Sequence, residues 1–169
     1  MLLLTGEYEL TLDSKNRLAV PAKVRDQIPE DMLGGGFYLV PGANRILSLY
    51  PEKYYQRIAL VVAPGTAAPD EMIAFERVNF ALAGKVELDR QGRVLLPEKA
   101  LSRAGLIKAK AQTESERVTL IGARDHLEIW NPERWERFVE QSMASHEKML
   151  MNARVELLKQ EQAEFNLGQ

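Results

Sequence analysis

The chain has 169 residues, of which 46% are hydrophobic and 27% charged, with a formal net charge of −2 at pH 7. These fractions lie in the ordinary globular range and exclude a chain that is disordered throughout. The absence of cysteine excludes disulfides, thiolate metal sites and thiol nucleophiles, and the near-neutral charge excludes a generally basic nucleic-acid coat, so any DNA-binding surface has to be a local patch.

The apolar run Met1 to Leu4 ends at Thr5, Gly6 and Glu7, far short of a signal peptide or a span of about 20 residues, and the expectation is a soluble cytoplasmic protein. Tyr8, Leu10 and Leu12 then alternate with Glu7, Glu9 and Thr11, the period of a half-buried strand. Asp13-Ser-Lys-Asn-Arg17 is a loop, and Leu18 and Val20 carry a second strand to Pro21, where no ladder amide is needed. Lys23, Arg25 and Lys99 could widen a basic patch, but solvated surface charge is the favoured reading of all three. Gly34-Gly35-Gly36 precedes a strand and reads as a flexible turn rather than a phosphate loop.

A strand after Gly42 runs into Tyr50 and Pro51, a proline suited to a first helical turn. Tyr54 to Val62 reads as a short helix that Pro64 to Pro69 breaks. Asp70 to Leu82 reads as a second helix, whose Met72, Phe75, Val78 and Leu82, joined by Ile73 and Phe80, form a stripe suited to covering a sheet. Val86 and Leu88, the loop Asp89-Arg-Gln-Gly-Arg93, Val94 and Leu96, and then Pro97 and Lys99 follow. His126 falls in a predicted strand among apolar neighbours. After Asn131 a third helix carries Trp135, Phe138, Val139, Met143, Met149 and Leu150, and its pattern weakens from Arg154, which predicts a frayed or partner-dependent end.

The chain is a duplication. Asp13 and Asp89, Arg17 and Arg93, Pro21 and Pro97, and Lys23 and Lys99 are each 76 positions apart, and Gly42 to Tyr54 returns more loosely as Gly122 to Trp135. Residues 6–54 form the first unit and 55–82 a helical connection. Residues 83–126 form the second unit, and 127–169 a strand end with the C-terminal helix and tail. The tail from Pro132 carries seven acids and five bases, which leaves residues 1–131 neutral overall.

The two loops are the chemistry-bearing candidates. Asn16 and Gly92 occupy the fourth loop position, and both residue types accept positive φ. Asp13 and Asp89 read as loop-shaping groups that bind loop amides. Lys15, Arg17, Arg90 and Arg93 read as DNA-contacting cations, because an exposed ion pair contributes only about 0 to 1 kcal/mol and gives little reason to use the pair twice. His126 and His146 have no metal-ligand spacing, and no serine sits in a nucleophile elbow. No enzyme activity, metal, cofactor or small-molecule ligand is expected.

Gly6-Glu-Tyr, Leu12-Asp-Ser-Lys-Asn-Arg-Leu, Pro21-Ala-Lys, Leu49-Tyr-Pro, Leu88-Asp-Arg-Gln-Gly-Arg, Gly105-Leu and Glu128-Ile-Trp-Asn-Pro-Glu-Arg-Trp resemble the MraZ family of bacterial regulators of the division and cell wall gene cluster. The resemblance implies an α+β fold with two AbrB-like (SpoVT-AbrB) swapped-hairpin units in one pseudo-two-fold, β-rich domain with covering helices. It also implies subunits closed into a ring-shaped homo-oligomer, nucleoid association, and double-stranded promoter DNA with direct repeats as partner. Lys15, Arg17, Arg90 and Arg93 are the contacts it implies. Asn16 stands where the family usually has glycine, and the tail beyond about Met143 runs past the family core. The rival reading is a protein-interaction hub of the same fold, antitoxin-like, acting through its aromatic ends or acidic tail.

Overall fold

The alternating segment after Gly6 forms β1 (Glu7–Thr11), and the apolar segment beyond the first loop forms β2 (Arg17–Ala19) in the computed structural model, which describes residues 1–61, 70–107, 116–143 and 145–167. Two single-turn helices follow, α1 (Ala22–Arg25) after Pro21 and α2 (Glu30–Leu33) after Pro29. Proline ends each preceding segment and presets φ for the turn that follows. The chain continues through β3 (Gly36–Pro41), β4 (Leu47–Pro51), α3 (Glu52–Val61) and α4 (Asp70–Leu82). Pro51 closes β4, and α3 begins one residue later. The proposed break at Pro64 to Pro69 lies outside the described residues. Next come β5 (Gly84–Glu87), β6 (Arg93–Leu95), α5 (Glu98–Ala104) after Pro97, β7 (Arg117–Gly122) and β8 (Leu127–Trp130).

The duplication is visible in the strand order. Six strands form one antiparallel sheet in the order β1-β7-β8-β4-β3-β5, while β2 and β6 form a separate two-stranded ribbon. Exchanging each strand for its repeat equivalent (β1 for β5, β7 for β3, β8 for β4) reverses the sheet order onto itself. The register places the axis of this pseudo-two-fold. Leu18 pairs with Val94 and Ser48 with Glu128, and in each case a residue meets its own counterpart in the other repeat. Neither repeat is therefore a closed unit: each supplies strands that only the other completes.

Leu18 and Val94 are fully buried, as are Val24 of α1 and Leu101 of α5, in one cluster with Leu12, Val20, Leu96, Phe37, Leu49, Leu120, Leu127 and Ile129. Burying side chains of this size contributes about 1.5–3 kcal/mol each. The ribbon is thus pinned from both repeats and covered by the two short helices that the prolines start.

Three expectations are corrected. The stripe on α4 does not cover the sheet: Met72, Phe75, Val78, Phe80 and Leu82 are exposed, Phe75 and Val78 at 56% each. Among the positions of the helix whose burial is described, the half-buried ones are instead Ile73, Glu76 and Asn79. Helical periodicity located the stripe but carried no information on whether its cover lies in the same chain. His126 does not lie in a strand; it sits in the bend ahead of β8, because the short turn after β7 needs residues that leave the ladder. The expected third helix is two helices, α6 (Pro132–Met143) and α7 (His146–Leu167), and α7 runs unbroken past Arg154. Its Glu, Lys, Leu and Ala content keeps helix propensity where the apolar pattern fades.

The chain divides into two compact units, Met1–Pro132, which holds both repeats, and Glu133–Gln169. In the second, Trp135 and Phe138 stack with centroids 5.8 Å apart, and Lys159 pairs with Glu156 at 2.7 Å. No helix among the described residues is long and apolar enough to cross a membrane.

Candidate nucleic-acid interface

Each loop is organised by its aspartate. Asp13 Oδ1 accepts from the amides of Lys15 and Arg17, both at 2.9 Å, while the Asn16 amide donates to the Asp13 carbonyl at 2.9 Å and the Asp13 amide to the Arg17 carbonyl at 3.1 Å. The second loop repeats this. Asp89 Oδ1 accepts from Gln91 (2.8 Å) and Arg93 (2.9 Å), the Gly92 amide donates to the Asp89 carbonyl at 2.9 Å, and the Asp89 amide donates to the Arg93 carbonyl at 2.8 Å. The turn needs a left-handed residue at its fourth position, and Asn16 has φ 59° where Gly92 has φ 73°.

The left-handed residues also join the two loops. Val20 donates its amide to the Gly92 carbonyl at 2.9 Å, and Leu96 donates to the Asn16 carbonyl at 3.0 Å. These two bonds close the opposite ends of the three-residue β2–β6 ribbon, so the loops flank the pseudo-two-fold at Leu18 and Val94, one on either side. Arg93 Nη1 reaches Asp13 Oδ2 across the gap at 4.0 Å.

The cations differ in how they are held. Arg17 Nε donates to Asp13 Oδ2 at 2.7 Å, and Arg93 Nε to Asp89 Oδ2 at 2.8 Å; their side chains are only 32% and 27% exposed. The Arg17 amide, then its guanidinium and the Lys15 amide, hold the Asp13 carboxyl down at about 2 against a smaller opposing effect of burial. Asp89 is lowered in the same way, led by the Arg93 amide. Lys15 and Arg90 are exposed, and no side-chain partner holds them among the described residues. Arg17 and Arg93 therefore brace the loops while still presenting part of their guanidinium groups, and Lys15 and Arg90 are the unneutralised loop charges.

A residue set aside as surface charge joins them. Arg25, from α1, donates Nε to the Val20 carbonyl at 3.2 Å and lies over the second loop, its Cζ 2.9 Å from where a Cβ on Gly92 would be. Gly92 is buried beneath it. Five cations (Lys15, Arg17, Arg25, Arg90 and Arg93) thus gather around two loop carboxylates, a local surplus of three on a unit with no overall excess of positive charge.

A family model described as "MraZ protein, putative antitoxin-like" matches residues 3–74 and 80–154, most of the chain. The chain belongs to the MraZ family. Among its relatives named "Transcriptional regulator MraZ" are proteins of Heliobacterium modesticaldum (35% identity; 85% of this chain and 92% of the relative) and Thermomicrobium roseum (38%; 77% and 82%). One of Syntrophomonas wolfei is 34% identical over 87% of this chain and 94% of its own length. MraZ proteins are transcriptional regulators of AbrB-like fold, not enzymes, and the duplicated α+β unit described above is theirs. The family match reaches residue 154, so the start of α7 belongs to the family pattern rather than lying beyond it.

The second polar cluster that the MraZ fold builds here surrounds His126. Nδ1 faces Asp125 Oδ1 at 2.8 Å and Nε2 faces Glu128 Oε1 at 3.4 Å, with Tyr50 stacked on the ring at 4.6 Å. Asp125 accepts from the Tyr54 hydroxyl at 2.9 Å and Glu128 from Trp130 Nε1 at 2.9 Å. The surroundings are not the apolar ones expected: beside the Tyr50 ring stand two carboxylates, because Asp125 and Glu128 bracket the residue in sequence and both turn toward it. Burial lowers the imidazole pKa, but the carboxylates of Glu128 and Asp125 outweigh it and raise the value above 6.5. Among the described residues no group of three or more His, Asp or Glu side chains could hold a metal ion.

Proposed function

We propose that this regulator acts by binding double-stranded promoter DNA through the paired Asp13–Arg17 and Asp89–Arg93 loops. In this reading it controls a bacterial division and cell wall gene cluster from the cytoplasm, in association with the nucleoid. The observation that carries the reading is the coupling of the two loops by the Val20 and Leu96 amides, which presents Lys15 and Arg90 unneutralised beside Arg17 and Arg93. Cations on a rigid pair of turns can meet phosphates and guanine edges with little backbone ordering, leaving mainly the side chains of Lys15 and Arg90 to be ordered. Asp13 and Asp89, with Asn16 and Gly92, shape the turns.

A few cations per subunit bind DNA weakly at physiological salt, since each phosphate contact contributes about one counterion to the salt slope. A ring-shaped homo-oligomer multiplies the loop pairs and fits direct repeats spaced by its subunits. The exposed apolar stripe of α4 supports such self-association, because contiguous apolar surface of this kind marks a protein interface. Affinity for a duplex with one repeat compared with three tests this: at least about tenfold tighter binding to three is expected, and equal affinity would contradict it. The same stripe and the family description favour one second reading, an antitoxin-like interaction hub. A folded Arg17→Ala, Arg93→Ala double variant with full DNA binding would favour the hub.

A further inference from the structure

We propose that Arg25 is a DNA-contacting cation belonging to the second loop alone, so that the loop pair grips DNA unequally on its two sides; this rests on the reading of the loops as the DNA surface. Its guanidinium is held flat over Gly92 by one bond, Nε to the Val20 carbonyl. That carbonyl belongs to the residue whose amide bonds the Gly92 carbonyl. The group is thus fixed to the backbone that joins the loops. No carboxylate pairs with it among the described residues, in contrast to Arg17 and Arg93. Among the described residues its terminal nitrogens have no hydrogen-bond partner, which leaves them to bind a phosphate. A solvated surface arginine has no need of a backbone clamp, and a purely structural cover for Gly92 has no need of a charge.

The asymmetry follows from the repeat. The position equivalent to Arg25, 76 residues on, is Leu101, fully buried in the core. No guanidinium can therefore arise from that position to cover Asn16. The second loop carries Arg90, Arg93 and Arg25 where the first carries Lys15 and Arg17. A pseudo-symmetric head with unequal halves has a direction on DNA, which a direct repeat provides and a palindrome does not.

The test is equilibrium binding of the full chain to a labelled duplex from immediately upstream of its own coding sequence, between about 50 and 200 mM salt. Four proteins are compared: wild type, R25Q, R25K and the double variant Lys15→Gln, Arg90→Gln. R25Q is expected to bind about five- to tenfold more weakly with its salt slope reduced by about one for each engaged loop pair, and R25K to keep the wild-type slope. If R25Q binds within about twofold of wild type at an unchanged slope while the double variant loses affinity, the assignment of Arg25 is wrong and the loop reading stands. A weaker R25Q with an unchanged slope would also overturn it, by showing that Arg25 acts only as a cover for Gly92. If the double variant binds as wild type does, the loop reading itself fails and Arg25 with it.

Discussion

Adding a single methyl group at Gly92 tests the geometry of the second loop. The backbone there has φ 73°, a conformation that costs an L-residue roughly 1–2 kcal/mol. The reduced freedom of the unfolded chain offsets about 0.4–1 kcal/mol of that. The new Cβ would also lie 2.9 Å from the Arg25 Cζ. Arg25 must then swing away and give up its bond to the Val20 carbonyl, a further ~0.5–1.5 kcal/mol. Gly92→Ala should therefore destabilise the unit by about 0.5–3 kcal/mol. With a urea m-value of about 2 kcal/mol/M, the midpoint should fall by about 0.25–1.5 M at unchanged m. Tryptophan fluorescence during urea unfolding at a fixed protein concentration reads this. Asn16→Ala, at the equivalent position with φ 59°, should cost less, because Asn already bears part of the cost of a left-handed backbone. A Gly92→Ala midpoint equal to or above wild type would show that neither the left-handed backbone nor the Arg25 guanidinium constrains this position.

Acid unfolding should depend on Asp13. Its carboxyl is held at about 2 against 3.8 ordinarily, so its contribution is complete above about pH 4 and lost as the pH falls toward about 2; Asp13→Asn should flatten melting temperature against pH across that interval. His126 has the opposite sign. Its raised value adds stability below 6.5 that is lost as the pH rises through the folded value, so His126→Gln should remove an alkaline decline in thermal stability that wild type shows. Leu18→Ala should cost about 2–5 kcal/mol in urea unfolding, because Leu18 is fully buried against Val94; a loss below about 1 kcal/mol would show that the ribbon is not anchored there. On α4, replacing Phe75 and Val78 with serine should shift the mass measured by light scattering toward the monomer.

Much of the fold was legible because duplication doubles every signal. A strand, an aspartate, a left-handed residue and a proline recur at one spacing, and strand alternation marked Leu12, Leu18, Val94 and Leu96 as core. The turn chemistry of Asp13 and Asp89 was also legible, since a short acid at that position has few uses other than binding the amides ahead of it. Three things were not. α1 is too short to show a helical period, so Arg25 gave no sign that it folds back over a glycine 67 positions later. The α4 stripe has the same sequence pattern whether its cover lies within the chain or on another. His126 gained its charged neighbours from turn geometry, which apolar periodicity does not encode. The ion pairs also redistribute weight within the site, bracing Arg17 and Arg93 and leaving Lys15 and Arg90 without a counter-charge among the described residues.

The claim on which the account depends is that the paired loops touch DNA. Hydroxyl-radical footprinting on the sequence upstream of the protein's own gene, with wild type and a Lys15→Gln, Arg90→Gln variant matched for urea midpoint, tests it most directly. Wild type is expected to protect segments that recur at a constant spacing, and the variant to leave them open to cleavage. Equal protection by both proteins would contradict it.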